Sequence, residues 1–240
     1  MDFRKLCRTF EAARGLQADF LHFKTMGKKL YAYALSRSRT SSMLAEFEKV
    51  PSEVDFCSVY LRYACKILRH LRWIRGDATT KITADGIELS VNGLHLRLKA
   101  SYEDEDLSLR ALLELEDTLM KTTQHIEVDR KKLLSICRAS SIISDHISLQ
   151  MVPEEGVMVV STTGDKDSLS YKFSGDISCG EDVVDEEDLE AQKVLLNPEL
   201  LEDALSNSIL GKTVRVYVRS NMPAMISGNG VRFVIAPMVE

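Results

Sequence analysis

The alternation of hydrophobic and polar positions divides the chain into helical and extended segments. Phe3, Leu6, Phe10 and Ala13 recur at helical spacing and predict a helix over 2–17. Further helices are predicted over 58–72, 131–143 and 198–209, the last with Pro198 in its first turn. Period-two alternation predicts strands in most of the intervening sequence. These predicted strands cover residues 18–25, 29–36, 41–48, 79–100, 107–116, 125–130, 146–152, 156–163, 168–173, 193–197, 213–219, 224–228 and 231–237.

The order of these elements is repeated along the chain. Strands, a helix, further strands and another helix occur in each half, and the turn dipeptides Asp85-Gly86 and Asn92-Gly93 mark the clearest hairpins. The polar stretch 116–124 between the halves is predicted to be a connecting segment. The sequence therefore predicts an α+β protein of two similar domains, 1–115 and 125–240.

Charge is distributed unevenly over the 240 residues. Residues 1–100 contain 18 lysines and arginines against 10 aspartates and glutamates, a net charge of +8. Residues 101–240 contain 13 against 26, a net charge of −13. A protein that coated nucleic acid over its whole surface would be basic throughout. The distribution instead predicts a local basic surface in an otherwise acidic protein.

The helix over 58–72 carries the strongest functional pattern. Its basic residues are spaced by four, three and three positions and so share one face; they are Arg62, Lys66, Arg69 and Arg72. Tyr63, Ile67, Leu71 and Ile74 are predicted to pack on a sheet, and Trp73 to pack at the helix end. A polyanion would relieve the repulsion within the basic stripe. The alternative is a solvated basic face.

Two other helices are also basic. The first contains Arg4, Lys5, Arg8 and Arg14, and the third contains Lys131 and Arg138, seven positions apart. The sequence contains no zinc finger, RNP-type aromatic run or basic zipper. Contacts to DNA would therefore be made to phosphates, without sequence preference. The segment 37–42, RSRTSS, is interpreted as a loop, with a phosphate-binding turn as the alternative.

Signals for catalysis, metal binding or membrane insertion are weak. The sequence contains no P-loop, nucleophile elbow, HExxH motif or dinucleotide fingerprint. The five cysteines are scattered and never form CxxC, which favours a reducing, intracellular setting without a zinc site. No apolar run reaches the ~18–20 residues of a membrane span. We therefore expect a protein that is not an enzyme and uses no cofactor or metal.

Several segments, in this order, resemble the proliferating cell nuclear antigen family of archaeal and eukaryotic DNA polymerase sliding clamps. They are LCRTFEAARGL, YACKILRH, LLSICRASSIISDHISLQMVPEEGVMVVSTTGD and SNMPAMISGNGVRFVIAPMVE. The likeness covers nearly the whole chain. Arg8, Arg14, Lys66, Arg69 and Arg138 fall on basic positions of the family's pore helices.

The resemblance implies a trimeric ring that encircles double-stranded DNA, with antiparallel sheets outside and two helices of each domain facing the channel. Such a ring confers processivity and recruits replication and repair proteins such as DNA polymerase, clamp loader, flap endonuclease and DNA ligase. Partner peptides would dock in a pocket lined by Met43, Leu44, Leu119, Met120, Pro223, Ala236 and Pro237. The expected location is an archaeal cytoplasm or a eukaryotic nucleus.

The sequence departs from the family in three places. The first domain lacks room for the strand that precedes the first pore helix, and 36–42 replaces the usual turn. The fourth helix carries Glu199, Glu202 and Asp203 but no lysine or arginine.

Three alternatives to a homotrimeric clamp remain open. They are a checkpoint-type or heterotrimeric clamp subunit that assembles with paralogous chains, a monomeric DNA polymerase processivity factor, and an enzyme with an unrecognised carboxylate site. For a homomeric ring, we expect the strand 107–115 of one subunit to pair with 167–173 of the next.

Overall fold

The structure is a computed structural model, and it describes residues 1–48, 50–71, 73–101, 108–182 and 190–238. The chain forms two compact units, Met1–Leu109 and Arg110–Glu240. All strand pairings between the named strands of each unit are antiparallel. Most predicted elements are present.

The described residues of the first unit form two helices and seven strands. Its elements are α1 (Phe3–Gly15), β1 (Phe20–Met26), β2 (Lys29–Leu35), β3 (Ser41–Glu48), β4 (Phe56–Tyr60), α2 (Leu61–His70), β5 (Thr79–Thr83), β6 (Gly86–Val91) and β7 (Leu94–Ser101). The strands form the ladders β3-β2-β1-β4 and β5-β6-β7, and β7 also pairs with β4 through its last two residues.

Helices α1 and α2 lie side by side in opposite directions. The C-terminal end of α1 and the N-terminal end of α2 line one cavity, through Arg14 and Arg62. At the other end, the amide of Phe3 donates to the carbonyl of Gly76, just beyond α2. The inner face of α1 buries Phe3, Leu6, Phe10 and Ala13, as the spacing predicts. The inner face of α2 buries Leu61, Ala64, Cys65 and Leu68.

The second unit contains three α-helices and nine strands among its described residues. They are α3 (Ser108–Thr122), β8 (Gln124–Asp129), α4 (Arg130–Ile143), β9 (Ile147–Val152), β10 (Val157–Thr163), β11 (Ser168–Ser174), β12 (Ser178–Cys179), β13 (Gln192–Leu196), α5 (Pro198–Ser206), β14 (Thr213–Val218), β15 (Ala224–Gly228) and β16 (Val231–Ile235). The ladders are β12-β8-β14-β15-β16 and β11-β10-β9-β13.

Side-chain caps fix the starts of the helices α4 and α5. Asp129 accepts a hydrogen bond from the amide of Lys132 at 2.9 Å, which lowers the pKa of its carboxyl. Asn197 accepts from the amides of Glu199 and Leu200, at 2.8 and 3.3 Å, with Pro198 in the first turn. The two helices pack against each other within the unit.

The predicted strand over 107–116 is wrong, because residues 108–122 form the helix α3. Within that helix Leu109, Leu112, Glu116 and Leu119 are buried, at intervals of three and four. These intervals place them on one helical face, whereas a strand would turn them to both of its faces. The predicted connecting segment 116–124 is the last part of α3 and the start of β8, and most of α3 belongs to the second unit.

Candidate nucleic-acid interface

Six cations project from the outer face of the helix pair in the first unit. Arg4, Arg8 and Arg14 of α1 and Arg62, Lys66 and Arg69 of α2 are all exposed. Among the described residues, none of the six takes part in an ion pair. A ten-residue helix is about 15 Å long, so these charges are spread over a surface that spans several phosphates of a DNA strand. We call these six residues the basic face.

One end of the basic face contains a cavity of about 420 Å³. Arg14, Arg62 and Arg37 line it, together with Tyr60 and Asp19. Asp19 accepts two hydrogen bonds from the Arg37 guanidinium, and this contact lowers the pKa of the carboxyl. The cavity therefore contains three guanidinium groups and one carboxylate among the side chains named here.

The sequence-based list of DNA-facing residues did not include Arg37. It lies in the 37–42 loop, for which a phosphate-binding turn was the alternative interpretation. Its place beside Arg14 depends on the hydrogen bonds that join the loop after β2 to Asp19, which follows α1, and sequence spacing does not reveal this contact.

One residue of α1 that was predicted to face DNA, Lys5, does not join the basic face. Lys5 turns toward β3, where its ammonium donates to the carbonyl of Glu46 at 2.8 Å and lies 4.9 Å from the ring centre of Phe47. Burial lowers the pKa of Lys5, against the opposing effects of Glu46 and Asp2. Arg72 lies outside the described residues.

The prediction that Tyr63 and Ile67 pack against a sheet is wrong. Tyr63 is 64% exposed and Ile67 is 41% exposed. Successive helical positions are about 100° apart. Positions 63 and 67 therefore lie on the side of α2 that faces away from its buried residues, next to the basic residues. Together with Leu98 and Ala100 of β7, these side chains line an open groove of about 470 Å³. We call it the α2–β7 groove.

The helix pair of the second unit has a different charge pattern. Lys131 is exposed on α4, but the Arg138 guanidinium donates to Glu202 of α5 at 2.8 Å. The buried Arg130 donates to the carbonyls of Gly211 and Leu205 and so has a structural role. On this pair, acidic residues of α5 offset the cations of α4.

The residues predicted to line a partner-peptide pocket differ in exposure. Met43 and Leu44 are buried in the first unit and Leu119 in the second, so these three offer no surface to a peptide. In the second unit Leu119 packs on Tyr217, Met225 and Val234.

The remaining members of that set lie in the second unit. Met120 is 38% exposed, and Pro223, Ala236 and Pro237 are partly exposed. The pairing of Ala224 with Ile235 brings Pro223 and Ala236 to the same end of β15 and β16.

The described residues contain no group of three or more His, Cys, Asp or Glu side chains suited to hold a metal ion. Burial raises the pKa of the Cys57 thiol to about 11 and that of Cys137 to about 12, which keeps both protonated at neutral pH. Among these residues, no helix combines the length and the apolar character that a membrane crossing requires.

The fold of this chain is the sliding-clamp fold. The whole chain aligns with the DNA polymerase III β subunit of Thermotoga maritima, with a TM-score of 0.72 and 16% identity. It also aligns with the DNA polymerase sliding clamp of Pseudomonas aeruginosa, with a TM-score of 0.74 and 16% identity. The alignments cover 100% of this chain and 65% and 66% of those chains. No protein-family model and no curated protein matches the sequence.

These likenesses confirm the α+β clamp fold that the sequence predicted. The chain spans just under two thirds of the length of the bacterial clamp subunits it resembles. The narrower resemblance to the proliferating cell nuclear antigen family stays a prediction.

Proposed function

We propose that this chain is a sliding-clamp subunit that holds double-stranded DNA without sequence preference and is not itself an enzyme. The basic face is the observation on which the proposal rests. Six exposed cations lie on the side of α1 and α2 opposite to their buried residues, in a chain with the clamp fold. Enclosure by a ring supplies processivity, so weak and mobile phosphate contacts are sufficient.

The test compares retention on closed circular and linear plasmid. A ring slides off linear ends and stays on circles, whereas a monomeric processivity factor dissociates from both with a steep salt dependence. We expect retention on circles when the wild-type protein is loaded onto nicked plasmid that is then ligated. Equal loss from circles and linear DNA would contradict ring enclosure.

The contribution of the basic face is tested by Lys66→Glu combined with Arg69→Glu. Removing two phosphate contacts should lower the slope of log affinity against log salt by about 2. The matched control is Lys28→Glu combined with Lys193→Glu, which changes the net charge equally at exposed positions away from α1 and α2. If both pairs of substitutions lowered the slope equally, the change in net charge alone would explain the effect.

Ring closure requires two complementary edges, and the helical 107–115 segment does not supply one. We propose β7 in its place. Residues 94–99 of β7 pair with β6 on one side, and no described strand of this unit pairs with their other side. β11 ends its ladder next to β10 and carries Tyr171, which is 39% exposed.

Charge and shape support pairing of β11 with the α2–β7 groove of a second copy. Arg97 and Lys99 line the groove beside Tyr63 and Ile67. Two exposed carboxylates, Asp165 and Asp167, precede β11. An apolar side chain such as Tyr171 would cover the exposed flank of α2, and the opposite charges would favour one register.

Client proteins of such a ring would include DNA polymerase, a clamp loader, flap endonuclease and DNA ligase, in an archaeal cytoplasm or a eukaryotic nucleus. We propose that their peptides contact Met120, Pro223, Ala236 and Pro237. The variant Met120→Asp should weaken binding of a DNA polymerase C-terminal peptide in calorimetry, while Met26→Asp, at a similarly exposed methionine in the first unit, should leave it unchanged. Equal affinities for both variants would reject this surface.

One observation favours a heterotrimeric or checkpoint-type clamp as the second candidate. The helix pair of the second unit presents Glu199, Glu202 and Asp203 beside the cations of α4, and Arg138 is already paired. A ring of identical chains would therefore have an unevenly charged lining, which paralogous subunits could balance. Sedimentation of the isolated chain separates the candidates, because only the homomeric ring forms trimers by itself.

A further inference from the structure

Trp73, the only tryptophan in the chain, lies at the surface one turn beyond α2. It is 76% exposed, so the prediction that it packs at the helix end is wrong. Ile74, the next residue, takes the buried position and is 4% exposed. Exposed single apolar residues are common, but proteins that bind single-stranded nucleic acid combine cations with aromatic side chains on which bases stack.

Hydrogen bonds hold the backbone that follows Trp73. The Asn92 side chain donates to the carbonyl of Arg75 at 2.9 Å. The amide of Phe3 donates to Gly76 at 3.3 Å, and Ala78 and Met1 are joined by backbone hydrogen bonds at 2.8 and 3.1 Å. Ile74 is buried and the residues after it are hydrogen-bonded, so the chain presents Trp73 outward.

Exposed cations lie before and after Trp73 in the sequence. Arg69 lies in the last turn of α2, and Arg75 is two residues beyond Trp73; both are exposed. The hydrogen bond from Phe3 to Gly76 also brings the start of α1, with Arg4, to the same end of the helix pair. Two carboxylates belong to this end as well, Asp2 and Asp77, and Asp2 caps the amide of Arg4.

We propose that Trp73, with Arg69 and Arg75, forms a stacking site for an unpaired base of single-stranded nucleic acid at the end of the basic face. Duplex DNA offers phosphates to the arginines, but its base faces are already stacked on each other. A single strand offers both a phosphate and a free base face. The site goes beyond a clamp that holds duplex DNA, which needs phosphate contacts alone.

Because the chain has one tryptophan, its fluorescence reports on this site directly. We expect titration with a twelve-nucleotide oligothymidylate to quench the emission of the wild-type protein. Relaxed, covalently closed plasmid, which has no ends on which to stack, should leave the emission nearly unchanged. Equal quenching by both, or none by the oligonucleotide, overturns the proposal.

Affinity measurements with variants supply an independent readout. Trp73→Ala should weaken binding of a labelled oligothymidylate, by anisotropy, about 5- to 150-fold, the range found for loss of one base–aromatic stack. Trp73→Phe should retain most of the affinity, and the control Ile142→Ala, at a residue 87% exposed in the second unit, should retain all of it. Plasmid affinity should stay within about twofold in every variant.

Two further outcomes would contradict the stacking site. A blue shift of Trp73 emission with anionic phosphatidylserine vesicles, without quenching by the oligonucleotide, would identify a membrane contact instead. If Trp73→Ala lowered the affinities for the oligonucleotide and for the plasmid equally, Trp73 would contact DNA in general and would not be specific for an unpaired base. Failure of the clamp proposal is separate, because it appears as loss of retention on closed circles and not in these fluorescence titrations.

Discussion

At the scale of single residues, a buried ion pair fastens α3 to the sheet of the second unit. The Arg232 guanidinium lies 2.6 Å from the Glu116 carboxylate, and their side chains are only 18% and 3% exposed. The transfer of two charges from water costs several kcal/mol per ion, which the contact offsets only when both partners are present. We therefore expect the pair to specify the position of α3 more than it adds stability.

A double-mutant cycle tests this interpretation. Either Glu116→Leu or Arg232→Leu should lower the free energy of unfolding by about 3–5 kcal/mol, because the remaining charge is buried alone. The double variant should recover most of that loss. Urea denaturation measures all three variants.

The matched control is Glu114→Leu on the same helix. Glu114 forms an exposed pair with Arg110, which should contribute less than about 0.5 kcal/mol. Additive losses in the double variant would show that Glu116 and Arg232 do not act as a pair.

Asp203 on α5 gives a prediction about pH. Burial raises the pKa of its carboxyl, and the neighbouring Glu202 and Glu199 raise it further. The folded state therefore binds this proton more tightly than the unfolded state does, so the favourable contribution is present in acid and is lost as pH rises through the raised pKa. We expect Asp203→Asn to increase the melting temperature at pH 7 and to have little effect below about pH 3.8. An equal shift at both pH values would contradict a charge effect.

At the scale of elements, segments with regular alternation were predicted correctly, whereas a segment that fits both the helical and the strand period was not. Asn92 and Gly93 both adopt positive φ, 49° and 80°, as the Asn-Gly dipeptide predicts for a tight hairpin turn between β6 and β7. The leucines of 107–116 fit both periods over a short window, so the pattern alone could not decide between strand and helix. The segment forms a helix because a helix buries its leucines on one face, against the sheet of the second unit.

Leu112 and Leu119 distinguish the two structures of this segment experimentally. Seven residues apart, they lie on one face of a helix but on opposite faces of a strand. Both are buried. Leu112→Ala and Leu119→Ala should therefore each lower the unfolding free energy by about 2–5 kcal/mol. Met120→Ala, at the exposed neighbour, should cost much less, and a small effect at either leucine would argue against the helix.

The candidate site was predictable where charge and helical period agree. Arg62, Lys66 and Arg69 share an exposed face of α2, as their spacing predicts. Lys5 follows the same helical logic on α1, yet its long side chain reaches the carbonyl of Glu46 on a strand distant in sequence. The sequence predicts packing for Tyr63 because it lies on the side of the helix away from the basic stripe, and for Trp73 because it lies at the helix end, although hydrophobic character alone does not show that another element covers a residue.

At the scale of the whole molecule, the two units differ in the charge of their helix pairs. The first contains the exposed cations of the basic face, and the second combines the cations of α4 with the acidic residues of α5. We therefore expect a polyanion to contact the first unit most strongly. The ring that we propose would close through surfaces other than the basic face.

The α2–β7 groove provides the test of that assembly. Tyr63→Glu combined with Ile67→Glu would place two carboxylates where we propose that β11 of a neighbouring copy packs. Both side chains are already exposed, so the melting temperature of the subunit should change little. Light scattering should show the wild-type protein at three times the monomer mass and the variant at the monomer mass.

Tyr171→Glu, on β11, should have the same effect on mass, since a head-to-tail contact uses a different surface on each partner. Met26→Glu, at a residue 39% exposed on β1, is the matched control and should remain trimeric. A trimer that survives all three changes would reject the β7–β11 contact. A wild-type chain that is monomeric by itself would instead favour the heterotrimeric clamp, because each edge would then need a paralogous partner.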